Sequence, residues 1–67
     1  MSDNIAKTHA LLEHMYHHNV EHTEELEEIR DKLIEVGDRA AATKASDAIK
    51  LYIQGNELLK EALEVLN

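Results

Sequence analysis

The 67-residue sequence contains no cysteine, proline, phenylalanine or tryptophan, and its only glycines are Gly37 and Gly55. Without thiols there can be no disulfide, thiolate zinc site, iron–sulfur cluster or c-type haem attachment. Without proline, and with glycine so scarce, nothing interrupts a helix over most of the length. Aromatics make up only 3% of residues, which argues against strands and against a core built on large rings. Basic residues are also short: seven Lys and Arg against 14 Asp and Glu give a net charge of −7. Such a surface repels phosphate, so neither nucleic acid nor an anionic membrane is an expected partner. No apolar run approaches the roughly 20 residues of a membrane span. The opening MSDNIAKTHA has no charged-then-apolar leader, and a cytoplasmic location is the expectation.

Alanine, leucine, glutamate, lysine and isoleucine dominate what remains, and they predict an all-α fold in one domain, residues 1–67. The first helix is expected over about 3–36, with Ser2, Asp3 or Asn4 as N-cap. Gly37 is placed to end it in a left-handed conformation, and Asp38 to cap a second helix over about 38–66. A break near Asn19 to Thr23, giving three helices, has no Gly or Pro to support it. The apolar stripe of the first helix, spaced 3-4, runs Ile5, Thr8, Leu12, Met15, Asn19, His22, Leu26, Ile29, Leu33, Val36. That of the second runs Ala42, Ala45, Ile49, Tyr52, Asn56, Leu59, Leu63, Leu66. Folded about the Gly37 turn as an antiparallel hairpin, the stripes pair Ile29 with Ile49, Leu26 with Tyr52 and His22 with Asn56. A polar layer of Asn19, His22, Tyr52 and Asn56 is therefore expected at one height. Leu11, Val20, Ile34, Leu51, Ile53, Leu58 and Val65 fall outside both stripes, more apolar surface than one hairpin covers. The expected remedy is a homodimeric four-helix bundle.

The chemistry-bearing stretch is HMYHHNVEHTEE, residues 14–25. Histidines four apart share a helix face about 6 Å apart along the axis, so an adjacent pair can chelate one ion. The expected ligand set is His18, His22 and Glu25. His14 is one turn further back, and Asn56 or Tyr52 could support the set. Nitrogen and oxygen ligands without thiolate suit zinc, nickel, cobalt, copper(II) or iron. The competing interpretation needs no metal: a polar layer in a bundle sets register and partner geometry at a cost in stability. On that view the chain is a structural or protein-interaction module. His9 and His17 read as ordinary surface histidines. A third possibility is a proton switch, in which five histidines move the charge toward about −2 on acidification and a buried His22 couples folding to pH. Catalysis is not expected. There is no serine or cysteine nucleophile beside the histidines, no glycine-rich phosphate loop and no Glu-x-x-His pair of di-iron bundles.

Two blocks carry a resemblance to a known kind of domain: Leu12-Glu13-His14 … His18-Asn19 … Glu21-His22, and Gly55-Asn56-Glu57-Leu58-Leu59-Lys60-Glu61-Ala62-Leu63-Glu64. Together they resemble an uncharacterised family of short prokaryotic helical-hairpin domains. That family opens with His-x3-His-Asn-x2-His and closes with Asn-Glu-Leu-Leu. The chain departs from the pattern at Met15-Tyr16, where an aromatic-led pair is usual, and at Gly55, where alanine is usual. The resemblance implies the hairpin and lends weight to the histidine and asparagine positions; it implies no activity.

Overall fold

The computed structural model describes residues 2–66, with the side chains of residues 4–66. Two helices account for nearly all of them: α1, Ser2–Glu35, and α2, Arg39–Leu66. Helix α1 runs unbroken through the polar stretch; the Thr8 and Thr23 hydroxyls donate back to the carbonyls of Asn4 (2.7 Å) and Asn19 (2.8 Å). Among the described residues no helix is long and apolar enough to cross a membrane.

The turn is built as its residue types dictate. Gly37 has φ of 82°, a conformation that costs an L side chain roughly 1–2 kcal/mol. Its N–H donates to the Ile34 carbonyl and that of Asp38 to the Leu33 carbonyl, both at 3.0 Å. These two bonds form the Schellman closure that satisfies the last carbonyls of a helix. Asp38 then starts α2: its Oδ1 accepts the Ala41 N–H at 3.0 Å and its carbonyl accepts that of Ala42, the N-cap arrangement. One glycine and one aspartate thus reverse the chain within three residues.

The result is a rod of 54 × 14 × 11 Å, as long as a 34-residue helix demands at about 1.5 Å per residue. Its interior is thin. Among the described residues Ala42 and Ile49 are the buried apolar residues, Thr23 is the buried polar one, and no large side chain is fully enclosed.

The expected α2 stripe does face α1: Ala42, Ala45, Ile49, Asn56, Leu59, Leu63 and Leu66 are all buried or half-buried. Tyr52 is the exception at 44% exposed. In α1 four of the ten expected stripe positions hold, and Ile5, Thr8 and Val36 are exposed. Leu12, Asn19, Leu26 and Leu33 line the seam, but the alternate row is Tyr16, Thr23 and Arg30. Met15, His22 and Ile29 lie exposed on the flank, so α1 is turned by about 50° from the orientation that apolarity favours. Tyr16 and Arg30 can occupy the seam because long amphipathic side chains cover apolar surface with their stems while their tips reach water. His9, expected as a surface histidine, is half-buried where this row begins, whereas His17 is exposed as expected.

Replacing Gly37 with alanine is expected to destabilise the hairpin by roughly 1–2 kcal/mol, because the added Cβ has open space but the wrong backbone conformation. A urea melt should show a lower midpoint at unchanged slope, and an unaltered midpoint would contradict the strained-turn argument.

Candidate metal centre

The rotation of α1 separates the polar residues into two sites. Inside the seam, Thr23 is 5% exposed, and its hydroxyl both donates to the Asn19 carbonyl and accepts Asn56 Nδ2 at 3.1 Å. This is the polar layer, and its α1 member is Thr23 where His22 was expected. The register across the hairpin is one residue away from the predicted pairing, enough to exchange an inward histidine for the threonine beside it. Asn19 and Asn56 are half-buried in the seam as expected, while Tyr52 leans toward the outer flank. Among the described residues no buried side-chain polar atom is left unpaired, so the layer is complete without a ligand.

Outside the seam, His22 and His18 come together. Their Nε2 atoms are 2.8 Å apart and the rings meet edge to face, with centroids 4.3 Å apart and planes at 90°. One ring donates from Nε2 and the other accepts there. On the far side of the His22 ring, Glu25 Oε2 lies 3.7 Å from Nδ1. That is too long for a hydrogen bond. The side chains of His22 and Glu25 are 49% and 65% exposed, so protonating His22 would bury no charge in the fold. The proton-switch expectation, which required a buried His22, loses its premise.

The expected ligand set is thus only partly assembled. His18 and His22 converge; Glu25 sits behind His22 instead of beside its free nitrogen. His14 stacks on the outer face of His18, at 6.1 Å between centroids and 16° between planes. Among the described residues no three His, Asp or Glu side chains are grouped to hold one ion. Two ring nitrogens 2.8 Å apart are about half an ångström closer than the spacing of roughly 3.3 Å set by zinc–nitrogen bonds of about 2.0–2.1 Å at tetrahedral angles. A small rotation of the exposed rings would close that difference.

Thr23 lies one residue off the expected 3-4 stripe, which places His22 inward in its stead. The signal that would have found it is the helix-bonded hydroxyl: a threonine can satisfy itself on the carbonyl four residues back and so enter a seam that excludes larger polar groups. Thr23→Val is expected to destabilise the hairpin by about 1–3 kcal/mol, because Asn56 Nδ2 loses its acceptor. The double variant Thr23→Val/Asn56→Leu should recover most of that loss. Chemical denaturation of the single and double variants measures both effects; a double variant as unstable as the single would refute the pairing.

Comparison with curated proteins and with solved structures gave no match. A family model matches residues 8–66, a span holding the histidine pair, the turn and the Thr23–Asn56 layer. The chain belongs to the family described as a domain of unknown function, DUF8180.

Proposed function

We propose that this chain is a non-catalytic helical-bundle protein that binds a divalent transition metal through His18 and His22. The observation that carries the proposal is the convergence of their Nε2 atoms to 2.8 Å on an exposed helix face. In that role Glu25 is an orienting group: a carboxylate against the remote nitrogen fixes the tautomer and raises the basicity of the ligating one. His14, stacked on His18, limits how that ring can turn. Zinc, nickel, cobalt and copper all accept imidazole nitrogen, with copper(II) favoured by intrinsic affinity. Protons compete for the same nitrogens, so acidification weakens binding.

A second reading is favoured by a separate observation, the large apolar area left uncovered on the hairpin. On it the chain is a structural or interaction module, and the Thr23–Asn56 pair fixes register in the way a single polar pair does in a coiled coil. The two readings are compatible, because the chelate and the polar layer occupy different sides of α1.

Metal binding is tested by native mass spectrometry and thermal melting with zinc, nickel, cobalt or copper(II) added to chelator-treated protein. Stoichiometric uptake is expected. At metal concentrations one hundred times the Kd, stability should rise by about 2.7 kcal/mol, on the order of 10 °C in a domain this small. His18→Ala or His22→Ala should abolish the rise, and His17→Ala should leave it unchanged. Glu25→Gln should weaken affinity about 10- to 100-fold. Uptake no tighter than millimolar would overturn the metal reading.

A further inference from the structure

Two features of the hairpin are incomplete. The first is its surface. A folded monomer of this mass exposes about 4,300 Å², whereas this chain exposes 5325 Å². The difference, on the order of 1,000 Å² per chain, is close to the roughly 800 Å² that each partner contributes to a standard interface. Much of it lies along one side. On α2 the row Leu51, Leu58, Val65 is 68%, 65% and 85% exposed, beside the small-residue row Ala48, Gly55, Ala62. On α1 the same side carries Leu11, Met15 and Ile29, all at least half exposed. Of the 14 acidic residues in the chain, Glu25 is the one on these rows, so the side is nearly free of the charge that keeps the rest of the surface apart. An open groove of about 560 Å³ runs along it, walled by Leu51, Tyr52, Leu58 and Leu59 over Ala48 and Gly55. A Cβ added at Gly55 would meet nothing within 4 Å. The hairpin itself therefore does not need the glycine; a surface packed against the groove would.

The second incomplete feature is the chelate. Two nitrogens fill half of a tetrahedral coordination sphere, and among the described residues no third ligand joins them. The pair lies on this same apolar side, at the middle of α1.

The arrangement of the rows decides how both are completed. On α1, His18 and His22 are equidistant from residue 20, and so are Leu11 and Ile29. On α2, Leu51 and Val65 are equidistant from Leu58. The Thr23–Asn56 contact places residue 20 of α1 at the height of residues 58–59 of α2. Both helices thus share one centre of symmetry along the rod. A two-fold axis through that centre, perpendicular to the helices, stacks α1 on the second copy's α1 with the turns at opposite ends. Leu11 then meets Ile29 of the second copy, Leu51 meets Val65, Leu58 meets Leu58, and His18 meets His22. We infer that the occupant of this face is a second copy of the chain in that antiparallel arrangement. The two His18/His22 pairs together form one four-nitrogen site for a tetrahedral divalent cation such as zinc. The metal component rests on the chelate proposed above, while the dimer rests on the face alone. An isologous contact of this kind is self-complementary by construction. The alternative, with turns at the same end, sets α1 against α2 of the second copy and leaves each histidine pair facing leucine.

The test measures stoichiometry, assembly and arrangement on the full chain. Zinc titrated into chelator-treated protein should bind as one ion per two chains and tighten dimerisation at least tenfold by analytical ultracentrifugation. By reciprocity, Leu58→Glu should lower zinc affinity by the same factor as it loses the dimer. Leu58 is exposed on the hairpin, so helix content by circular dichroism should hold in that variant. His18→Ala should still dimerise without metal, through the apolar rows, and lose the zinc-dependent tightening. A spin label at Glu35→Cys, unique because the chain has no cysteine, should report about 45 Å between copies when the turns are opposed. A separation within about 20 Å would mean turns together and would overturn the arrangement. One ion per chain with a dimerisation constant unmoved by zinc would overturn the shared site while leaving the single-chain chelate standing. A dimer with opposed turns that takes up no metal would overturn both metal proposals and uphold the face. A monomer at all concentrations with and without zinc would overturn the inference entirely.

Discussion

A two-helix hairpin has a single seam, and the seam is too small an interior for 67 residues. Each helix can press one narrow stripe against the other; everything else on its circumference meets water. That limit explains why, among the described residues, Ala42 and Ile49 are the buried apolar ones and no large side chain is enclosed. It also explains why leucines and isoleucines at good core spacing sit half exposed. The area per residue that such a rod can hide from water is low even for so short a chain. The rest of the molecule's organisation follows from where the surplus apolar surface is placed and what is placed beside it.

The seam is fixed by a few directional groups more than by bulk apolar packing. At one end the Gly37–Asp38 turn closes both helix termini with backbone and carboxylate hydrogen bonds. At mid-height Thr23 joins Asn19 of its own helix to Asn56 of the other. Hydrogen bonds of this kind are modest in net strength, yet breaking one inside a seam leaves a polar group with neither water nor partner. They therefore discriminate between registers that apolar contacts alone would tolerate. Once Thr23 is inward, its neighbour His22 must point to the flank, where it meets His18. The His18–His22 contact is thus a consequence of the polar layer and would not exist if His22 filled the position its spacing suggests.

The separation has a chemical effect. An inward histidine would spend its nitrogens on the fold, and ligating a metal there would mean breaking the pairing that holds the helices. On the flank the two rings meet each other and solvent, with Glu25 standing behind His22. The seam contact and the exposed histidine pair are thus formed by adjacent residues of one helix.

The all-α class, the two helices with their ends to within about two residues, the turn chemistry at Gly37 and Asp38, and the α2 stripe were all legible in the sequence. Each is set by local rules: propensity, capping, the conformational freedom of glycine and a 3.6-residue period. The proximity of His18 and His22 was legible for the same reason, since i and i+4 are neighbours on any helix. What the sequence alone could not decide was the rotation of α1. Two rows compete for the seam beside Leu12, Asn19, Leu26 and Leu33, and the more apolar of them, with Met15 and Ile29, is the one left outside. Apolarity says that a row seeks cover but not which neighbour provides it. Only the tertiary structure, where the turn geometry, the snorkelling Tyr16 and Arg30 and the Thr23–Asn56 bond act together, settles that Thr23 faces inward and His22 outward. A one-residue step along a helix swings a side chain by about 100°, and that swing moves His22 from the interior to the surface.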